Sequence, residues 1–204
     1  MYLTVEGRAE ATYEIKRSVF IAVAKGVDGI DDGIAFVKEI KQKYPDARHN
    51  CYAIVCADGQ KLSDDGEPSG TAGQPILQVI KNKGLSDVAV VVTRYFGGIK
   101  LGANGLVASY TKAAADALDN AKTVVVKESK VGVIECDYPD YRKIGEVVEK
   151  YGLTLDTAYD DRIKIRFAVP TSDIERLETA LSETTAGKTK PTYERVEKIK
   201  YKEE

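Results

Sequence analysis

Eleven consecutive residues, Ser63-Asp64-Asp65-Gly66-Glu67-Pro68-Ser69-Gly70-Thr71-Ala72-Gly73, gather three carboxylates, three hydroxyls and three glycines. Two kinds of chemistry fit them. Backbone amides at the start of a following helix, with Ser69 and Thr71 beside them, would hold an anion. Asp64, Asp65 and Glu67 would offer hard oxygen ligands to magnesium, which binds through few carboxylates and keeps several waters. The plainer alternative is an acidic turn that caps the next helix, since Asp, Ser and Gly are ordinary turn formers.

A second cluster, Tyr95-Phe96-Gly97-Gly98-Ile99-Lys100-Leu101-Gly102-Ala103-Asn104-Gly105, lies between an apolar run and an alanine-rich stretch. Gly97, Gly98 and Gly102 would let the backbone approach a phosphate closely, with Lys100 balancing its charge. The spacing matches neither the Walker A loop nor the dinucleotide fingerprint. Glycine that packs a loop against its neighbour reads equally well.

His49 is the only histidine, so a Ser-His-Asp or Cys-His mechanism would have to use it. In an extended strand it shares a face with Cys51, whereas Cys51 and Cys56 oppose one another about 16 Å apart, too far to share a metal. A half-buried histidine bonded to a neighbouring loop is the expected role. No GxSxG, HExxH or paired CxxC motif occurs, so the familiar hydrolase and zinc chemistries lack support. Arg17, Arg48, Arg94 and Lys100, interleaved with Tyr52, Tyr95 and Phe96, would form a basic and aromatic nucleotide surface if folding gathers them.

The elements that must position these residues are readable from periodicity. Ala11 to Lys25 reads as a hairpin with a polar Lys16-Arg17-Ser18 middle. Ile34, Phe36, Val37 and Ile40 form a helical stripe behind Asp31-Asp32, stopped at Tyr44-Pro45. Asn50 to Ala57 reads as a strand, and Asp58 to Gly73 as turn throughout. A helix follows with Pro75 in its first turn and Gly84 as its stop. Val88 to Val92 is a continuous apolar run, the mark of a central strand buried on both faces. An alanine-rich helix covers about Leu106 to Leu118. After Lys127 the order becomes strand Val131–Cys136, helix Asp140–Tyr151, strands Leu153–Ala158 and Ile163–Val169, a helix capped by Thr171 and stopped at Gly187, and strand Thr192–Lys200. That β-α-β-β-α-β order is the ferredoxin-like one. The expectation is therefore an α+β protein of two domains, 1–127 and 128–204, joined between Lys122 and Lys130.

Composition excludes several classes. Of 204 residues, 43% are hydrophobic and 30% charged, ordinary for a globular protein. No apolar run is long enough to span a bilayer. The first residues have neither a basic n-region nor an apolar h-region, and three cysteines without CxxC spacing fit reduced thiols. A cytoplasmic location is expected. The net charge is -2, so any nucleic-acid contact must come from a local patch, because phosphate neutralisation drives non-specific binding.

Four segments carry a resemblance: Arg17-Ser18-Val19-Phe20-Ile21, Arg48-His49-Asn50-Cys51-Tyr52-Ala53, Ser63 through Pro75, and Val91-Val92-Thr93-Arg94-Tyr95-Phe96-Gly97-Gly98-Ile99-Lys100-Leu101-Gly102. In that order they resemble the YigZ/IMPACT family, specifically its bacterial two-domain members. The resemblance implies a first domain with the fold of a small-subunit ribosomal protein and of domain IV of elongation factor G. It also implies a ferredoxin-like second domain similar to the last domain of that factor. Eukaryotic relatives act in translational control by competing for an activator of the general-control kinase. The sequence departs from the family pattern at Asn104, where glycine is usual, and at Ala108-Ser109, where Arg-Ala is usual, which removes a cation from the helix after the loop.

The resulting expectation is a non-catalytic binding protein linked to translation, contacting RNA or a ribosome-associated partner and needing no cofactor. Its contact residues would be Ser63, Asp64, Asp65, Glu67, Ser69, Gly70, Thr71, Arg94, Tyr95, Gly97, Gly98, Lys100 and Gly102, supported by Arg17, Arg48, His49 and Tyr52. One alternative is an enzyme or ligand-binding domain acting on a phosphorylated small molecule with magnesium. Another is a protein-interaction module using the same loops.

Overall fold

A computed structural model of the chain describes residues 1–202 and divides into two compact units, Tyr2–Val125 and Val126–Tyr201. Both mix helices with a β-sheet, so the chain is α+β.

The first unit begins with β1 (Tyr2–Val5), followed by the hairpin β2 (Arg8–Ile15) and β3 (Ser18–Gly26). The order then runs α1 (Ile30–Lys43), β4 (His49–Cys56), β5 (Gly59–Ser63), α2 (Gly73–Asn82), β6 (Val88–Tyr95) and α3 (Gly102–Asp119). Five strands form one sheet in the order β2-β3-β6-β4-β5, with antiparallel neighbours throughout. Strand β6 is central, and Val88 to Val92 are fully buried. Its unbroken apolar run follows from cover on both faces. One face packs Val23, Ile54, Ala89 and Val91 against Phe36, Val37 and Ile40 of α1. The other packs Phe20, Cys51, Val90 and Val92 against α2 and α3 through Ile76, Ile80, Leu106 and Tyr110.

Three local expectations are corrected. The stretch 58–73 is not turn throughout, because β5 occupies Gly59–Ser63. It is an edge strand exposed along most of its length, so it carries no alternating apolar signal. The second glycine cluster ends earlier than expected: Gly102 to Gly105 form the first turn of α3. Glycine disfavours helix by about 1 kcal/mol per residue, and here α3 burial outweighs it. The strand expected at Val131–Cys136 starts earlier: β7 spans Thr123–Cys136 and runs through the stretch where the two domains are expected to join.

The second unit continues through α4 (Tyr138–Tyr151), β8 (Leu153–Tyr159), β9 (Ile163–Pro170), α5 (Ile174–Thr185) and β10 (Thr192–Lys202). Its strands lie in the order β10-β7-β9-β8. Ile134, Ile165 and Phe167 of the sheet pack with Ile144, Val148, Leu177 and Leu181 of the two helices. Thr171 does not cap α5: it opens a short 3-10 turn, and Asp173 stands at the helix start. No helix among the described residues is long and apolar enough to cross a membrane.

Candidate functional site

Strand register gathers the candidate residues at one end of the first sheet. Val19 pairs with Tyr95 and His49 pairs with Arg94, so the β2–β3 turn, the end of β6 and the start of β4 lie side by side. Hydrogen bonds from β4 to Asp64 and Asp65 bring the acidic loop to the same edge.

The acidic loop is closed on itself. Both Asp64 carboxylate oxygens accept backbone N–H bonds, from Gly70 at 2.8 Å, Ala72 at 3.0 Å and Gly73 at 2.8 Å. Asp64 thus occupies the anion seat at the α2 N-terminus that the composition offered to a ligand. Burial raises the Asp64 pKa, but the three amide donors outweigh it and leave the carboxyl below its ordinary value. Asp65 binds the Lys41 ammonium at 2.7 Å and the Asn50 amide at 2.7 Å. Its amide donates to the Ser63 hydroxyl at 3.1 Å, and the Thr71 hydroxyl donates to the Pro68 carbonyl at 2.7 Å. Gly70 has φ 76, the left-handed region where glycine is unstrained. Ser69 is exposed.

Glu67 and Arg94 form a buried ion pair at 2.6 Å, with side chains 4% and 7% exposed. This corrects the expectation that Arg94 reaches a phosphate at the surface. Its side chain leaves β6 on the α2–α3 face, where Glu67 stands ready. Removing both charges from water is costly, and extra partners must offset that cost. Glu67 also accepts from the Tyr110 hydroxyl at 2.8 Å. The Arg94 guanidinium lies over the Phe20 ring at 5.4 Å and the Phe96 ring at 5.6 Å, within cation–π range. Phe20 meets Tyr110 edge-on at 5.1 Å.

Cys51 donates to the Asp64 carbonyl at 2.9 Å and to the Tyr110 oxygen at 3.3 Å. Burial, with the Tyr110 bond opposing it and nearby carboxylates reinforcing it, pushes the Cys51 thiol up to about 12. Such a shift disfavours the thiolate, the form that acts as a nucleophile. His49 Nδ1 lies 2.9 Å from the Asp65 carbonyl. A carbonyl only accepts, so that nitrogen holds the proton, and His49 is the half-buried loop partner expected. The three loop carboxylates therefore turn to separate partners instead of converging on a cation. Among the described residues, no cluster of three or more His, Cys, Asp or Glu is arranged to hold a metal.

The second loop is open. Gly97 donates to the Ser18 hydroxyl at 3.1 Å, and a Cβ on Gly97 would meet the Arg17 carbonyl carbon at 2.1 Å. That bare α-carbon lets the loop lie against the β2–β3 turn. Gly98 and Gly102 have φ 83 and 75. Phe96 is 51% exposed and Ile99 44%. Lys16, Arg17, Arg48 and Lys100 are exposed and enter no ion pair among the described residues. No side chain caps the start of α3. Tyr95 donates to Asp46 at 2.9 Å, and Tyr52 packs half-buried on the α1 face, away from the α2–α3 side.

Folding thus brings together the turn, the second loop and Arg48–His49, while withdrawing Arg94, Tyr52 and the three acids. Sequence reasoning missed Tyr110 and Lys16 as members of this region. A lone tyrosine among alanines of α3 was the available sign of the first. In the second unit a groove of about 490 Å³ is lined by Glu178, Ser182, Glu183, Thr189 and Lys190.

The sequence matches the Impact N-terminal domain over residues 16–118 and a domain of unknown function, DUF1949, over residues 134–188. It is 35% identical to an IMPACT family member of Haemophilus influenzae over 193 residues, 92% of this chain and 94% of that protein. It is 36% identical to the IMPACT family member YvyE of Bacillus subtilis, covering 92% of this chain and 88% of that one. A crystal structure of a hypothetical protein superposes with a TM-score of 0.63 at 30% identity, over 95% of this chain and 97% of the other.

Proposed function

The chain belongs to the IMPACT family, and from that premise we propose that it is a non-catalytic binding protein linked to translation or its regulation. Its contact, with RNA or a ribosome-associated partner, is made by the open end of the first sheet. One observation carries this reading: Lys16, Arg17 and Lys100, exposed and without ion-pair partners, share one end of the sheet with exposed Phe96 and Ile99, while the acids of the first loop are satisfied internally. Exposed cations without ion-pair partners attract a polyanion.

The translation link comes from the family resemblance, whose eukaryotic branch acts in translational control. The fold reading supports it. We take the first domain, 1–127, as similar to a small-subunit ribosomal protein and to domain IV of elongation factor G. We take the second, 128–204, as ferredoxin-like by its element order. Three free cysteines fit a cytoplasmic protein. A phosphorylated ligand held with magnesium would have to draw Asp64, Asp65 and Glu67 from the amides, Lys41 and Arg94 that hold them now.

The test is co-sedimentation of the full chain with ribosomes on a density gradient, with and without ribonuclease treatment. Migration with ribosomal particles is the expected result. A chain that stays at the top of the gradient at low salt, under both treatments, would reject the reading.

A further inference from the structure

We propose that Phe96 is a stacking platform for one unpaired base of single-stranded RNA, with Lys16, Arg17 and Lys100 meeting the flanking phosphates. The inference rests on the preceding reading of this surface and deepens it.

Phe96 is half exposed at the end of a central strand. The Arg94 guanidinium, itself paired with the Glu67 carboxylate at 2.6 Å and lying over the Phe20 ring, is 5.6 Å from the Phe96 centroid. The ring is thus in contact with a buried cation and still leaves 51% of its surface to a ligand. Every base presents a π face, so one exposed ring accepts any unpaired base, whereas bases stacked inside a duplex have no face to offer.

Two cations stand in the turn against which the second loop lies. Lys16 and Arg17 have φ 46 and 64, a turn conformation for which Asn-Gly is the unstrained choice. Side chains are strained there, and the turn nevertheless carries two long basic ones. Gly97 lies against the Arg17 backbone, so this turn and Phe96 belong to one surface. Lys100 follows four residues after Phe96. No described carboxylate pairs with any of these three cations. An exposed ring with unpaired cations in the adjacent turn and in its own loop suits a base between phosphates.

The experiment measures binding of the full chain to a labelled single-stranded oligoribonucleotide and to the same length of duplex across a salt series. A 2-aminopurine base in the single strand reports stacking. Wild type is expected to bind the single strand in preference, to quench the 2-aminopurine, and to show a salt slope of about -2 for three phosphate contacts at roughly 0.7 each. Phe96→Leu keeps the apolar bulk but lacks a π face; it should weaken single-strand binding about tenfold and abolish the quench. Phe96→Trp should retain both. Wild-type affinity in Phe96→Leu, or equal binding of duplex and single strand, would overturn the proposal. Absence of oligonucleotide binding while the chain still sediments with ribosomes would also overturn it and leave the preceding reading standing as a protein contact.

Discussion

Two glycine-rich loops leave the same end of one sheet and lead into helices on the same face, yet they treat their polar groups in opposite ways. The loop before α2 turns inward. Asp64 fills the helix N-terminus, Asp65 takes Lys41 and the Asn50 amide, and Glu67 is buried against Arg94 and Tyr110. The loop before α3 turns outward, with Phe96, Ile99 and Lys100 exposed and no side chain at the helix start. The loop richer in reactive residue types is thus the scaffold, and the poorer one presents the surface. A carboxylate draws a function from its neighbours, and these neighbours are backbone amides, Lys41 and the buried Arg94.

On that division, removing a polar side chain from the inward loop should cost stability, and removing one from the outward loop should cost binding. The largest stability effect is expected for Arg94→Ala, which strands Glu67 as a buried unpaired charge. The loss should be about 3–5 kcal/mol by urea denaturation. A loss below about 1 kcal/mol would show that the pair is not structural and reopen Arg94 as a contact residue.

Asp64→Asn comes next, at about 1.5–3 kcal/mol, because it removes a charged acceptor from three amides. Its pH dependence sharpens the test. The folded carboxyl sits below its ordinary value, so its stabilisation is present above the unfolded pKa and is lost as pH falls through the folded one. Wild type should therefore lose part of its stability in acid that Asp64→Asn lacks from the start. Parallel stability–pH curves below about pH 4 would contradict the role assigned to Asp64.

Gly98→Val should cost about 1–3 kcal/mol, entirely through the backbone, since φ is 83 and a Cβ there would meet nothing within 4 Å. An unchanged melting temperature would mean the outward loop readily takes another conformation. The smallest stability effect is expected for Lys100→Ala, within about 0.5 kcal/mol, measured by the same denaturation.

Much of the scaffold was legible in the sequence because burial leaves a period. Val88 to Val92 announced a central strand, and Phe36, Val37 and Ile40 announced the helix that covers it. Strand β5 left no such mark, since an exposed edge strand such as Gly59-Gln60-Lys61-Leu62 needs no apolar alternation. Residues 63–73 and 95–105 marked the right end of the molecule, yet composition could not separate a carboxylate that binds a ligand from one that binds its own helix. Arg94 shows why: its partner Glu67 lies 27 residues away, and the Tyr110 hydroxyl of α3 donates to the same carboxylate from a third segment. Lys16 was hidden for the opposite reason, since a cation matters there only because Gly97 brings the second loop against its turn.

The division between the loops is tested most directly by measuring ribosome or RNA retention and the melting temperature together, for two variants of the full chain. The first, Lys16→Ala with Arg17→Ala and Lys100→Ala, should lose retention while melting within about 0.5 kcal/mol of wild type. The second, Asp64→Asn, should melt earlier yet, at a temperature where it remains folded, be retained like wild type. The reverse pattern, with retention lost in Asp64→Asn and kept in the triple variant, would place the contact on the inward loop and contradict the account.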